Sequence, residues 1–437
     1  MHKILPLIFC LLAISTQAKI MPAEGAKLNY VLSGFMVDEK PGTAQYRLQI
    51  ARGNYSDNKL FNKNVFIDKK LSSNRTIEEL PDFGRQYTWR MSYLNAKGKE
   101  TMASPLYHFA TDSSDAVDTT MHRLRVIGNK LGNSEMMITT DFKAVIYNLQ
   151  GKPLWYLPQI EKFGPRQVQL RDLKPTKWGT FTCLYGFHAI EIDYNGKIVW
   201  EAPDNGQISG DSNEFYHHEL TRLDNGHYMV CGDEIWWAKP DSIAYGKRYM
   251  PKDIEVQAQK GQSYRRYVFG TLIEYDSVGN IVWYWKSRKH FIENEHVALG
   301  NKPRYTGFTH LNSFFFDEKD SIIYMSYRDI NRVVKIRYPD GEWLNSYGSK
   351  ISTDSTDPDC TYFCGQHCVR CLPNGNIYLF DNHTERGHEE KPISYIRIYK
   401  QPETDNKKEN VTKTWSFACN IDSNASGGAS TGGGVYM

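Results

Sequence analysis

At 437 residues, 40% of them apolar and with a formal charge of +3, the chain has room for two domains and a sizeable core. Near-neutral charge excludes the electrostatic footprint of a nucleic-acid binder and a polybasic membrane arm. No stretch beyond the N-terminus is long and apolar enough for a membrane-spanning helix, so membrane insertion is not expected.

Residues 1–18 read as a signal peptide: Lys3 gives a positive start, Leu5 to Ile14 an apolar run, and Thr16-Gln17-Ala18 small residues around a cleavage point. A buried N-terminal strand or helix is the competing reading. Export is expected, to a bacterial periplasm. Cys10 lacks the small residues that precede a lipidated cysteine. Of the eight cysteines the seven others remain after cleavage, an odd number. One is therefore unpaired or pairs between chains, as in a homodimer.

Residues 19–113 alternate apolar and polar in short runs such as Tyr46 to Ile50 and Tyr87 to Met91, divided by Gly, Pro, Asn and Asp. The series from Tyr87 to Phe109 resembles fibronectin type III strands, which predicts a small β-sandwich and no particular function. Thr111 to Thr120 reads as a polar linker.

From residue 122 to 437 the chain repeats. Four hairpins span Val145 to Trp155, Ile190 to Trp200, Leu272 to Trp285 and Val333 to Trp343, with turn glycines at 151, 196, 279 and 341. Asn-Gly and Asp-Gly in such turns point to two-residue turns with both central residues at positive φ. A second set, Leu223-Asp224-Asn225-Gly226 and Leu372-Pro373-Asn374-Gly375, interleaves with the first. Two hairpins per unit make a four-stranded blade, so the expected fold is all-β, a β-propeller after the sandwich. A long sandwich or a β-helix would also repeat.

Histidines sit at one phase of this repeat. His218 and His367 each lie five residues before the leucine of an Asn-Gly turn, and His310 opens the strand that includes Phe314-Phe315-Phe316. Strands that open blades line the central channel, which would bring three imidazoles together. A single buried histidine is more simply a hydrogen-bonded structural one. His217 competes with His218, and strand alternation would put the two on opposite faces.

Phe215 to Leu220, Thr309 to Ser313, Ser326-Tyr327-Arg328 with Val333 to Ile336, and Gly365-Gln366-His367 before Leu372 to Asn382 resemble the bacterial arylsulfate sulfotransferases, in that family's order. The resemblance implies a six-bladed propeller with the active site at the channel mouth. It implies a sulfuryl group moved in two steps from a phenolic sulfate donor to a phenol acceptor, without a phosphoadenosyl cofactor. By the same resemblance His367 would be the nucleophile, forming a sulfohistidine, and His218 and His310 the acid–base pair. Arg328 would hold the sulfuryl oxygens, and Asn312 and Thr431 would bind substrate. Arg332 is the rival to Arg328 and is expected to face solvent. Cys360 and Cys364 would form the disulfide that family members can carry ahead of the nucleophile.

These residue types suit the chemistry. Sulfuryl transfer spreads negative charge over oxygens, which a forked guanidinium matches. A neutral imidazole attacks and departs readily, and a second can exchange the phenolic proton. Arg328, if close, would keep His367 neutral.

Cys360, Cys364, His367, Cys368 and Cys371 also have zinc-like spacing, although a strand from His367 would turn Cys368 away and export favours disulfides. No phosphate-binding loop is present, and the glycines from 427 to 434 are expected to belong to the last blade, which the chain leaves short at Met437. Two other functions remain: a ligand-binding propeller without turnover, and a zinc-dependent hydrolase.

Overall fold

The computed structural model describes residues 20–120, 124, 137–140, 144–164, 170–238, 265–295, 309–348, 361–383, 393–405, 409–420, 428–429 and 432–435. The signal-peptide reading therefore falls outside the described residues. The chain divides into two compact units, Met1–Pro158 and Gln159–Met437.

In the first unit, strands Ala26–Leu28, Tyr107–Thr111, Gln86–Leu94, Gln45–Arg52 and Val65–Leu71 lie in that spatial order, with Glu100–Ala103 paired to Gln86–Leu94. A two-stranded sheet, Leu32–Met36 with Arg75–Glu79, supplies Phe35, whose ring meets Trp89 edge-on at 5.3 Å. Alternation explains the core: Leu48, Ile50, Tyr87, Trp89 and Met91 are buried while their neighbours carry the polar face. A short helix, Asn58–Lys63, has no apolar periodicity to announce it and is started by the Asp57 carboxylate, which accepts the Leu60 N–H at 2.8 Å. The linker stretch is more ordered than its polarity suggests. It holds a 3-10 turn, Asp115–Val117, and Val117 packs with Val145 and Tyr156. The hairpin around Gly151 forms a three-stranded sheet with Met137–Thr140 and also lies in this unit.

The second unit is a β-propeller. Its described residues contain four antiparallel four-stranded blades in chain order, starting with Leu170–Pro175, Leu220–Arg222, Leu311–Asp317 and His367–Cys371 and ending with Ile198–Glu201, Ile281–Lys286, Trp343–Gly348 and Thr412–Ala418. The two interleaved repeats fall as expected: the 223–226 and 372–375 turns join strands one and two, and the glycine 196, 279 and 341 turns join strands three and four. The turn type differs from expectation. Only the glycine takes positive φ, 79° at Gly196, and the Asp193 carboxylate accepts the Asn195 and Lys197 N–H groups. A side-chain-capped turn with one left-handed glycine replaces the two-residue form, and the register shifts there by one.

The first strands of the blades converge. Arg370 of the fourth blade reaches Glu219 at the start of the second at 2.6 Å, and Lys174 of the first reaches the same carboxylate at 3.2 Å. An unanticipated helix, Ser287–Glu295, closes one flank, its Phe291 buried against Tyr327 and Trp343.

Candidate functional site

His218, His310 and His367 come together although their chain positions do not match in phase. His218 stands four residues before Arg222 and His367 four before Cys371, the last pairs of their hairpins, while His310 stands seven before Asp317. The longer third-blade strand is offset by local backbone: His218 and His310 both take left-handed φ, 62° and 54°, turning out of the strand path. The ring centroids of His218 and His310 are 4.8 Å apart, those of His218 and His367 6.4 Å. His310 Nε2 and His218 Nε2 are 3.1 Å apart.

The same left-handed turn overrides strand alternation at His217. Its ring does not face away from His218: the two Nδ1 atoms are 2.8 Å apart, and His217 Nε2 lies 3.0 Å from Asp233 Oδ1.

His367 is 5% exposed and held at both ring nitrogens. Nδ1 is 2.6 Å from Asn382 Oδ1 and 3.0 Å from the Gly365 carbonyl. Asn382 Nδ2 donates to the carbonyls of Ala429 and Gly432 at 2.8 and 2.7 Å, which fixes its oxygen toward the histidine. Both Nδ1 partners accept, so Nδ1 carries the proton and Nε2 the lone pair. The Gly432 N–H donates to that lone pair at 3.3 Å. Where it is described, the glycine-rich stretch is thus not strand; it lies against His367 and, through Val435, against Cys368. Thr431 and Cys360 lie outside the described residues.

Burial pushes the His367 imidazole down to about 4, with Arg328 and His310 adding to the shift and the Asn382 bond opposing it. Among the downward causes the Arg328 charge follows desolvation. Burial, then His217, His310, His367 and Arg171, holds His218 well below the ordinary imidazole range.

Arg328 follows strand Ile322–Tyr327 on a 3-10 turn closed by left-handed Asn331. Its backbone N–H donates to the His310 carbonyl at 2.9 Å, and its guanidinium pairs with Asp329 at 2.8 Å. Arg332 does not face solvent as expected: it is buried and donates to the Gly348 carbonyl at 2.7 Å. Gln366 ties this loop to the His367–Cys371 strand, donating to the Tyr327 and Arg332 carbonyls at 3.1 Å each. Asn312 Nδ2 donates to the Gln366 carbonyl at 2.7 Å, and its buried Oδ1 has no hydrogen-bond partner among the described residues.

Among the described residues the free cysteines are Cys183, Cys231, Cys368, Cys371 and Cys419, and Cys364 is not one of them. Among the same residues no group of three or more His, Cys, Asp or Glu is placed to hold a metal ion. A cavity of about 330 Å³ is lined by Lys174, Glu219 and Arg370 together with Trp178, Arg222 and Phe315, and not by the histidines.

Residues 250–423 match the family model described as Arylsulfotransferase (ASST). The match supports the arylsulfate sulfotransferase family. It covers His310, Asn312, Arg328, His367 and Asn382, while His217 and His218 precede it. It supports sulfotransferase activity in general, and with it a donor and an acceptor substrate. No curated protein matches the chain. Among solved structures, a protein of unknown function from Bacteroides caccae is 13% identical over 63% of this chain and 69% of its own, with a TM-score of 0.34. The β-propeller domain of Myceliophteria thermophila Cps50 (Swd1) is 8% identical over 83% and 95%, with a TM-score of 0.29. The WD40 domain of Toxoplasma gondii coronin is 11% identical over 91% and 80%, with a TM-score of 0.27. At these scores the likenesses carry no argument, and the propeller rests on the blades themselves.

The site residues that sequence reasoning missed are Asn382, His217 and Asp233. Asn382 ends the Phe380-Asp381-Asn382 motif, and His217 adjoins His218, so both were in view. Only the folded backbone gives either a partner.

Proposed function

We propose that the chain is an arylsulfate sulfotransferase that carries the sulfuryl group on His367 Nε2. The observation that carries this reading is the fixed tautomer: Asn382 and Gly365 hold the proton on Nδ1, which leaves Nε2 as the lone-pair nitrogen of a buried, neutral imidazole. In the first step Nε2 attacks the sulfur of an aryl sulfate, the S–O bond breaks, and the phenolic oxygen leaves with the electron pair. The His218–His310 pair supplies its proton. In the second step an acceptor phenol returns that proton and takes the sulfuryl group. Attack displaces the Gly432 N–H, which then becomes a donor for a sulfuryl oxygen. Arg328 lies close enough to His367 to depress its basicity, and we assign it the remaining sulfuryl charge.

Asn312 is assigned a place beside the substrate through its buried Oδ1, and Thr431, one residue from Gly432, a late contact. The Cys360–Cys364 pair would brace the loop ahead of His367; the absence of Cys364 from the free thiols supports it. We further propose export and function in the periplasm.

The test is phenol release from a chromogenic phenyl sulfate, with and without an added phenol. Transfer predicts faster release when acceptor is present. Release that ignores the acceptor and is abolished by a chelator would establish a metallohydrolase instead.

A further inference from the structure

The line of imidazoles extends beyond the pair assigned to acid–base work. From one end it runs Asp233 Oδ1 to His217 Nε2 (3.0 Å), His217 Nδ1 to His218 Nδ1 (2.8 Å), and His218 Nε2 to His310 Nε2 (3.1 Å). At the other end His310 Nδ1 stands 3.6 Å from Asp329 Oδ2. A neutral imidazole has one N–H and one lone pair, and a carboxylate only accepts, so the proton positions follow in sequence. His217 donates from Nε2 to Asp233, leaving Nδ1 an acceptor. His218 donates to it from Nδ1, leaving its own Nε2 an acceptor. His310 donates to that atom from Nε2. The line so ordered holds one proton per ring.

We propose that His217 and Asp233 are the far half of a proton relay, Asp233–His217–His218–His310–Asp329, which stores the proton exchanged with the phenolic oxygen. This rests on the sulfuryl-transfer reading above. One added proton, entering at His310 Nδ1, makes that ring cationic beside Asp329. If His310 passes its Nε2 proton to His218, and His218 its Nδ1 proton to His217, the positive charge arrives beside Asp233. No bond other than N–H is made or broken along the line. When the aryl oxygen departs, the relay gives up this proton and returns to one proton per ring. When an acceptor phenol attacks the sulfohistidine, its proton refills the relay.

The surroundings favour charge at the ends over the middle. His218 faces His217, His310, His367 and Arg171, with no carboxylate beside it among the described residues, and burial with those neighbours disfavours its cation. Each end ring has a carboxylate instead: Asp233 at His217, and Asp329, shared with Arg328, at His310. His217 and Asp233 touch no reacting atom in this scheme, so they are positioning residues that act through His218.

A leaving-group comparison in the full chain separates a relay from a merely structural role. Phenolate from phenyl sulfate needs a proton as it departs, while 4-nitrophenolate needs little help. Asp233→Asn and His217→Gln should slow single-turnover release from phenyl sulfate by about tenfold or more, and release from 4-nitrophenyl sulfate much less. Equal losses on both donors would overturn the relay. If wild-type protein releases neither phenol, the sulfotransferase reading fails, and nitrogen-15 NMR of the histidine rings still decides the relay. Asp233→Asn should then change the protonation signals of His310, two rings away. A change confined to His217 would overturn the proposal.

Discussion

His218 and Glu219 are neighbours in the chain, yet they serve clusters of different kinds. Glu219 is buried and fully engaged, accepting from Arg370, from Lys174 and from the Phe314 N–H at 3.0 Å. Burial alone would raise its carboxyl, but Arg370 and Lys174 outweigh that and hold it below the ordinary range. Nearby Asp172 shows the limit of this supply of charge. It lies 3.0 Å from Lys174, which Glu219 also uses, and burial together with the Glu219 charge pushes it up to about 7. This network links the first strands of all four described blades, and its charged groups are paired with one another. One residue earlier in the second blade, polar groups meet imidazole to imidazole, with lone pairs and protons that can be exchanged. Fixed ion pairs hold the blades together, and adjustable imidazoles stand at the strand starts.

The comparison breaks most visibly at Glu219. Glu219→Ala leaves Arg370 and Lys174 buried without their shared partner, so it should cost about 3–5 kcal/mol of stability. Chemical denaturation measures this. His367→Ala should leave the midpoint near that of the wild type while abolishing transfer. A Glu219→Ala protein as stable as the wild type would show that the network does not hold the blades.

A smaller effect sharpens the imidazole side. Asn382→Ala frees the His367 ring to turn or change tautomer, and misplacement of a nucleophile on the ångström scale costs about a hundredfold in rate. Steady-state turnover with an aryl sulfate and a phenol measures it. Unchanged turnover would mean that the ring is held some other way.

The smallest effect is on pH dependence. His367 has its basicity depressed, so its lone pair is present above about pH 4 and lost as pH falls through that value. Single-turnover release from 4-nitrophenyl sulfate should stay flat from pH 8 to about 5. A fall through about 6.5, the ordinary imidazole value, would contradict a buried neutral nucleophile.

Much of the propeller was legible because hairpins announce themselves: glycine turns at 196, 226, 279, 341 and 375 sit between alternating runs, and each joins the strands it was read to join. Less legible was anything that depends on local backbone. His217 seemed excluded by strand alternation, and the left-handed φ of His218, a residue without glycine's freedom, brought it back. His310 lies out of phase with the other two histidines and joins them through a left-handed residue of its own. Arg332 gave no sign of burial, because its partner Gly348 belongs to the last strand of the same blade. The helix Ser287–Glu295 carries polar residues on most positions, and among its described side chains Phe291 is the buried apolar one. Asn382 needed the Gly432 segment, fifty residues on, to orient it.

The central claim is that His367 Nε2 carries the sulfuryl group. Full-length protein incubated with an aryl sulfate donor and no acceptor, then digested under neutral conditions and sequenced by mass spectrometry, tests it directly. The account predicts an acid-labile sulfuryl adduct on His367, in the peptide containing Gly365 to Arg370, that disappears when a phenol is added and is absent from His367→Ala. An adduct on another residue, or normal transfer by His367→Ala, would contradict it.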